Sequence, residues 1–259
     1  TAQAPRAQGL ALSNGAKVFT EIQPGQPNAP VFILLNGLIY DVERWDSLAA
    51  RLNERGYTVI RMAFSPQPES LRLLQPQEKA KFEDGITVTD LANEVRAVVD
   101  AYHLTTKFNL VGLSYGASVA AEFARLYPEF IDNTVLMAPL VVPLDNYDPR
   151  GSVLLTWLNQ IKYWEDSQCA WVWWAPYLCQ KSEFWYDMFY NYIYQNYLDK
   201  KIDGVPAQVD ATKFKKGVFH LIRATRSFDL KQYAAILPNL HMMTASEDSA
   251  PLLRDQKAF

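Results

Sequence analysis

Histidine is scarce in this chain, with three residues, His103, His220 and His241, among 259. Cysteine is scarcer still, at Cys169 and Cys179 only. A zinc site normally takes about four ligands, and no histidine is spaced with these cysteines in a ligand pattern, so neither a metal nor another cofactor is expected. No uninterrupted apolar run reaches the roughly 18–20 residues of a membrane-spanning helix. The longest candidates are broken by Asn36, Pro139 and Pro143, and no transmembrane segment is expected. Charge of one sign is also lacking: 25 basic against 28 acidic residues leave a net charge of -3. No run of lysine and arginine tracks a helix or strand, which excludes nucleic acid as an expected partner. What the chain does have is apolar material. Hydrophobic residues make up 49% and charged residues 20%, too apolar for a disordered chain and enough for one large core.

Thr1 opens a stretch, TAQAPRAQ, that reads as a polar leader or as the new end left by removal of a signal peptide. Nine residues separate Cys169 from Cys179 in QCAWVWWAPYLCQ, a spacing that permits a disulfide; two buried free thiols are the other reading. A bridge implies an oxidising compartment, so a periplasmic or secreted location is expected.

From about residue 9 to residue 140, short apolar runs alternate with amphipathic stretches, the pattern of strands crossing over through helices into a mostly parallel sheet. GLALSNG and AKVFTEI predict an opening antiparallel hairpin around Asn14-Gly15. Val31–Leu35 is apolar throughout, as a strand buried on both faces should be, and ends at Asn36-Gly37. A helix is predicted over Val42–Arg55, stopped by Gly56, then a strand TVIRMAF stopped by Ser65-Pro66. Thr87 and Asp90 have capping-box spacing, and Leu91, Val95, Val98, Val99 and Tyr102 recur on one helical face behind them. TVLMAPLVVP and NLHMMTA predict later strands. Between Trp157 and Tyr197 lie 15 of the 34 aromatic residues, six of the seven tryptophans included. The expected organisation is therefore a first part of the core at 1–143, an inserted helical lid at 144–225, and a last part of the core at 226–259.

One pentapeptide carries the chemistry. Gly112-Leu113-Ser114-Tyr115-Gly116 is a G-x-S-x-G sequence set between the apolar strand Phe108–Val111 and a helix beginning near Ala117. A sharp strand-to-helix turn forces the serine into strained backbone geometry, and the flanking glycines keep the neighbouring chain from colliding with it. The hydroxyl then stands clear of the sheet at a helix N-terminus, where developing negative charge is favoured.

In these residues the chain resembles the α/β-hydrolase family, and the resemblance runs from the opening hairpin to the last predicted strand. It implies an α/β fold, a mostly parallel sheet flanked by helices with a helical lid, and Ser114 as nucleophile. The family commonly carries a His-Gly pair whose following N–H helps form the oxyanion hole. Here the pair is Asn36-Gly37, followed by Leu38. A backbone donor does not depend on the preceding side chain, so Leu38 and Tyr115 are the implied oxyanion donors. The family's acid usually follows a late strand in a Gly-x-x-Asp setting, matched here by Ala245-Ser246-Glu247-Asp248. Asp248 is the candidate, with Glu247, Asp145 and Asp148 as alternatives.

The general base departs from the family pattern. Its histidine normally lies some tens of residues beyond the acid, and no histidine follows Asp248 before Phe259. His241 falls within a predicted strand, His103 on a surface turn and His220 in a helical stretch, each read as structural or solvated. The expectation is a C-terminal segment beyond Phe259 that supplies the base, with little or no turnover by these 259 residues alone. The function implied is acyl transfer on a small apolar ester or acyl substrate, with Trp171, Trp173 and Trp174 of the lid against the acyl or aromatic group. A peptidase of the same fold, and an inactive relative binding a hydrophobic ligand or partner, are the alternatives.

Overall fold

A computed structural model describes residues 6–11, 17–38, 40–73, 86–141 and 228–244, together with positions 143, 221, 224 and 225. Among them are seven strands in one sheet: β1 (Arg6–Ala11), β2 (Lys17–Gln23), β3 (Val31–Leu35), β4 (Thr58–Ala63), β5 (Phe108–Leu113), β6 (Ile131–Met137) and β7 (Leu240–Met243). Their spatial order is β1-β2-β4-β3-β5-β6-β7. β1 and β2 pair antiparallel, as do β2 and β4; every pairing from β4 to β7 is parallel. The α-helices bounded within the described residues are α1 (Asp46–Glu54), α2 (Pro68–Leu71), α3 (Val88–Ala101) and α4 (Tyr115–Leu126).

Alternation along the central strands divides the apolar residues between two layers. Ile33 and Leu35 of β3, Ile60 and Met62 of β4, and Phe108 and Leu110 of β5 enter one core with Leu91, Val95 and Val98 of α3 and Val119, Ala120 and Phe123 of α4. Leu34, Val59 and Val111 point the other way and meet Ala49 and Leu52 of α1. Both faces are covered, which is why these strands read as continuous apolar runs. The main core also takes in Leu221, Leu230 and Leu237.

Several predicted boundaries shift. The helix expected over Val42–Arg55 is a 3-10 turn at Val42–Trp45 followed by α1, and Gly56 ends it with φ +88°, a left-handed conformation that glycine adopts without a Cβ clash. β5 runs on to Leu113 and α4 starts at Tyr115, so the turn between them is Ser114 alone. β6 begins at Ile131 and ends at Met137, because Ala138 turns the chain at φ 47° ahead of Pro139. The predicted hairpin exists as β1–β2, its Asn14-Gly15 turn lying outside the described residues. So does the 144–220 part of the expected lid, and no helix among the described residues is long and apolar enough to cross a membrane.

β3 lies between β4 and β5, so the chain leaves β3 towards one neighbour and returns to the sheet on its other side. In an open parallel sheet, such a reversal leaves a crevice at the carboxyl ends of the two strands, where ligands bind. Leu35 pairs with Gly112 at that end. Asn36-Gly37 and Ser114 therefore meet at one crevice.

Candidate active site

Ser114 adopts φ 53° and ψ -110°, a left-handed backbone in which a residue with a Cβ is strained. Its N–H donates to Met137 O at 2.7 Å, which ties the turn to the end of β6. The glycines on either side have no room for a side chain. A Cβ on Gly112 would lie 2.3 Å from Gly116 O, and one on Gly116 would lie 2.5 Å from both Leu35 O and Asn36 O. Two backbone segments are thus pressed together, and only glycine permits the approach. The serine itself is half-buried at the head of α4, where its carbonyl oxygen accepts from Ala117 N–H at 3.0 Å.

The loop after β3 rests against this turn. The nearest backbone atom to a Cβ built on Gly37 is Leu113 O, at 3.5 Å. Tyr40 N–H donates to Gly37 O at 3.4 Å, closing a turn with Leu38 at its first central position. Neither Leu38 N–H nor Tyr115 N–H meets a backbone acceptor among the described residues. The arrangement offers a hydroxyl at a helix N-terminus and two candidate donors for a developing oxyanion. Asn36 is fully buried beside it, with neither atom of its side-chain amide partnered among the described residues.

Two residues at the site escape motif reading. Gln67, buried in the Pro66–Pro68 bend after β4, accepts from Phe64 N–H at 2.9 Å through Oε1 and donates through Nε2 to Gly37 O at 3.0 Å. Glu94 of α3 lies on the apolar helical face three residues after Leu91, a charge where the periodicity calls for a hydrophobe. Its carboxylate accepts from Ser65 N–H at 3.0 Å and from Ser65 Oγ. Burial pushes this carboxyl up to about 7, the Ser65 hydrogen bonds pulling the other way. Burial, then the Glu94 charge, raises the Tyr115 phenol well above its usual range. Asp41, just after the Leu38 turn, is also pushed up to about 7, by burial and then by the charges of Glu69 and Glu43.

The described histidines do not reach Ser114. His103 occupies an exposed turn at φ 52° before the start of β5, while Ser114 follows its end; six residues at about 3.3 Å each put about 20 Å between those levels. His241 is paired with Val135, below the level of the turn, and its Nε2 lies 3.3 Å from Asn133 Oδ1. His220 lies outside the described residues, as do Asp248, Glu247, Asp145, Asp148, Cys169, Cys179, Trp171, Trp173 and Trp174. β7 runs parallel to β6, and Met243 O accepts from Ala138 N–H at 2.8 Å, so β7 ends on the Ser114 side of the sheet.

A strand, a left-handed serine between crowded glycines and a helix are set against the loop of the neighbouring strand, and one family model covers this stretch of chain. The model of the alpha/beta hydrolase fold matches residues 30–170. The chain belongs to this family. A curated relative named "Probable lysophospholipase L2", from Haemophilus influenzae, is 28% identical over 138 residues, 53% of this chain and 44% of that protein. The match spans less than half of that relative's own length. Among solved structures, an esterase (EaEST) from Exiguobacterium antarcticum superposes with a TM-score of 0.71 at 15% identity, covering 98% of this chain and 86% of that one. A thermophilic esterase from Thermogutta terrifontis gives 0.64 at 16%, over 98% and 85%. At these identities the superpositions show the α/β-hydrolase fold.

Proposed function

We propose that this hydrolase cleaves carboxylic esters by way of a serine acyl-enzyme. The observation that carries the reading is Ser114, held in a left-handed backbone at the head of α4 with Leu38 and Tyr115 N–H groups at the same crevice. Ser114 Oγ attacks the carbonyl carbon and a histidine accepts its proton; the carbonyl oxygen, now negative, takes hydrogen bonds from the Leu38 and Tyr115 amides. Collapse expels the alcohol, which receives that proton, and water then releases the acid by the same route. In this proposal the histidine comes from chain beyond Phe259 and Asp248 orients it. The left-handed serine supports the scheme because strain of this kind concentrates where mechanism uses it. The curated relative's name and those of the esterases favour an ester over an amide.

A fluorophosphonate probe applied to the complete gene product tests the assignment. Modification at Ser114, lost together with ester turnover in Ser114→Ala, is the expected result. Labelling at another residue, or full turnover by the alanine variant, rejects it. Replacing His220 alone by alanine, with Ser114 kept, checks the source of the base: turnover is expected to persist.

A further inference from the structure

Gln67 bridges the loops after β3 and β4. Its Oε1 is held by Phe64 N–H at 2.9 Å, which fixes the amide against the end of β4. Nε2 then donates to Gly37 O at 3.0 Å, with Tyr40 O at 3.4 Å. The residue is 1% exposed, so water offers these groups little alternative. Gly37 C=O and Leu38 N–H belong to one planar, trans peptide unit, in which the oxygen and the hydrogen point in opposite directions. Whatever holds the oxygen therefore aims the N–H. Tyr40 N–H also reaches Gly37 O, at 3.4 Å, but it lies within the same turn and moves with it. Among the described residues, only the Gln67 contact ties the peptide to the loop that follows another strand.

We propose that Gln67 is a positioning residue: its amide locks the Gly37–Leu38 peptide plane and keeps Leu38 N–H turned to the oxyanion. The inference deepens the esterase reading and rests on it for its catalytic consequence, though the locking itself does not. Without the clamp, the peptide can rotate and spend part of its time with the carbonyl facing the developing negative charge. An oxyanion donor is worth roughly 100- to 1,000-fold in kcat, and a donor that is present but misaimed should forfeit part of that.

Two variants separate this role from a merely local one. Gln67→Leu removes all three hydrogen bonds; Gln67→Glu keeps the acceptor for Phe64 N–H and loses the donor to Gly37 O and Tyr40 O. In the complete gene product both are expected to lower kcat on p-nitrophenyl esters about 10- to 100-fold with KM within about twofold. Amide hydrogen exchange over residues 38–42 is expected to quicken about tenfold or more in both, with β3 and β4 unchanged. If Gln67→Glu matches the parent in kcat and in exchange, Gln67 only shapes its own bend and the proposal falls. Faster exchange with unaltered kcat also overturns it. Should the parent protein neither label at Ser114 nor turn over esters, the esterase reading fails, and the exchange arm alone decides the clamp: unchanged rates over 38–42 refute it.

Discussion

At the scale of single residues, Glu94 has a measurable signature. Its carboxyl titrates near 7 in the fold because burial penalises the charged form, against an ordinary value of 4.5. The native state therefore binds more protons than the unfolded chain between those values, and stability falls as pH rises through that window. The group's favourable contribution is complete below about 4.5 and lost above about 7. In Glu94→Gln an amide faces Ser65 from the same place and has no such titration. Urea unfolding of the parent and of this variant from pH 4 to 8 should diverge across the window, the parent losing up to about 3 kcal/mol relative to the variant at about 1.4 kcal/mol per unit. Parallel profiles would show that the carboxyl ionises normally. Of the residues around the crevice, Ser114 was legible because a G-x-S-x-G between a strand and a helix has few backbone solutions. Gln67 and Glu94 were not, since their roles depend on partners 30 and 29 residues away.

At the scale of elements, α3 shows how local chemistry fixes a boundary. Thr87 Oγ1 accepts from Asp90 N–H at 3.1 Å, and Asp90 Oδ2 accepts from Thr87 N–H at 2.8 Å, the reciprocal cap expected from the spacing. Thr87→Ala should cost about 1 kcal/mol in denaturant unfolding, with an unchanged m-value. A loss below about 0.2 kcal/mol would mean that packing alone holds the helix start. The central strands β3, β4 and β5 were equally legible, as apolar runs bounded by turn residues. The start of β6 was obscured by Asp132 and Asn133, which interrupt the apolar pattern; Asn133 Nδ2 donates to Asn109 Oδ1 at 2.8 Å across to β5. The head of α1 was misread because Val42 and Trp45 are buried at helical spacing although the chain there is wound as a 3-10 turn.

At the scale of the whole molecule, the aromatic segment between Trp157 and Tyr197 is the outstanding compositional feature. If it covers Ser114, the complete enzyme should favour p-nitrophenyl esters of medium acyl length over acetate, each methylene contributing about 1 to 3 kcal/mol until the site is filled. Trp173→Ala or Trp174→Ala should flatten that profile more than it lowers the rate on acetate. A flat profile in the parent, or a preference for aminoacyl amides over every ester, would move the assignment to a peptidase. The placement of the crevice also bears on how the protein folds. Its two walls follow β3 and β5, strands joined across 78 residues where Asn109 Nδ2 reaches Val31 O at 3.4 Å. Parallel pairing over such a separation is entropically expensive to initiate. During synthesis, a nascent chain can complete β3 and β4 while β5 is still inside the ribosome, and at that stage the Asn36-Gly37 loop has no Gly116 to rest against. On the proposed serine mechanism, reactivity at Ser114 should thus emerge late, after the sheet has closed around β3, so that a stalled or misfolded intermediate would carry the serine without its chemistry.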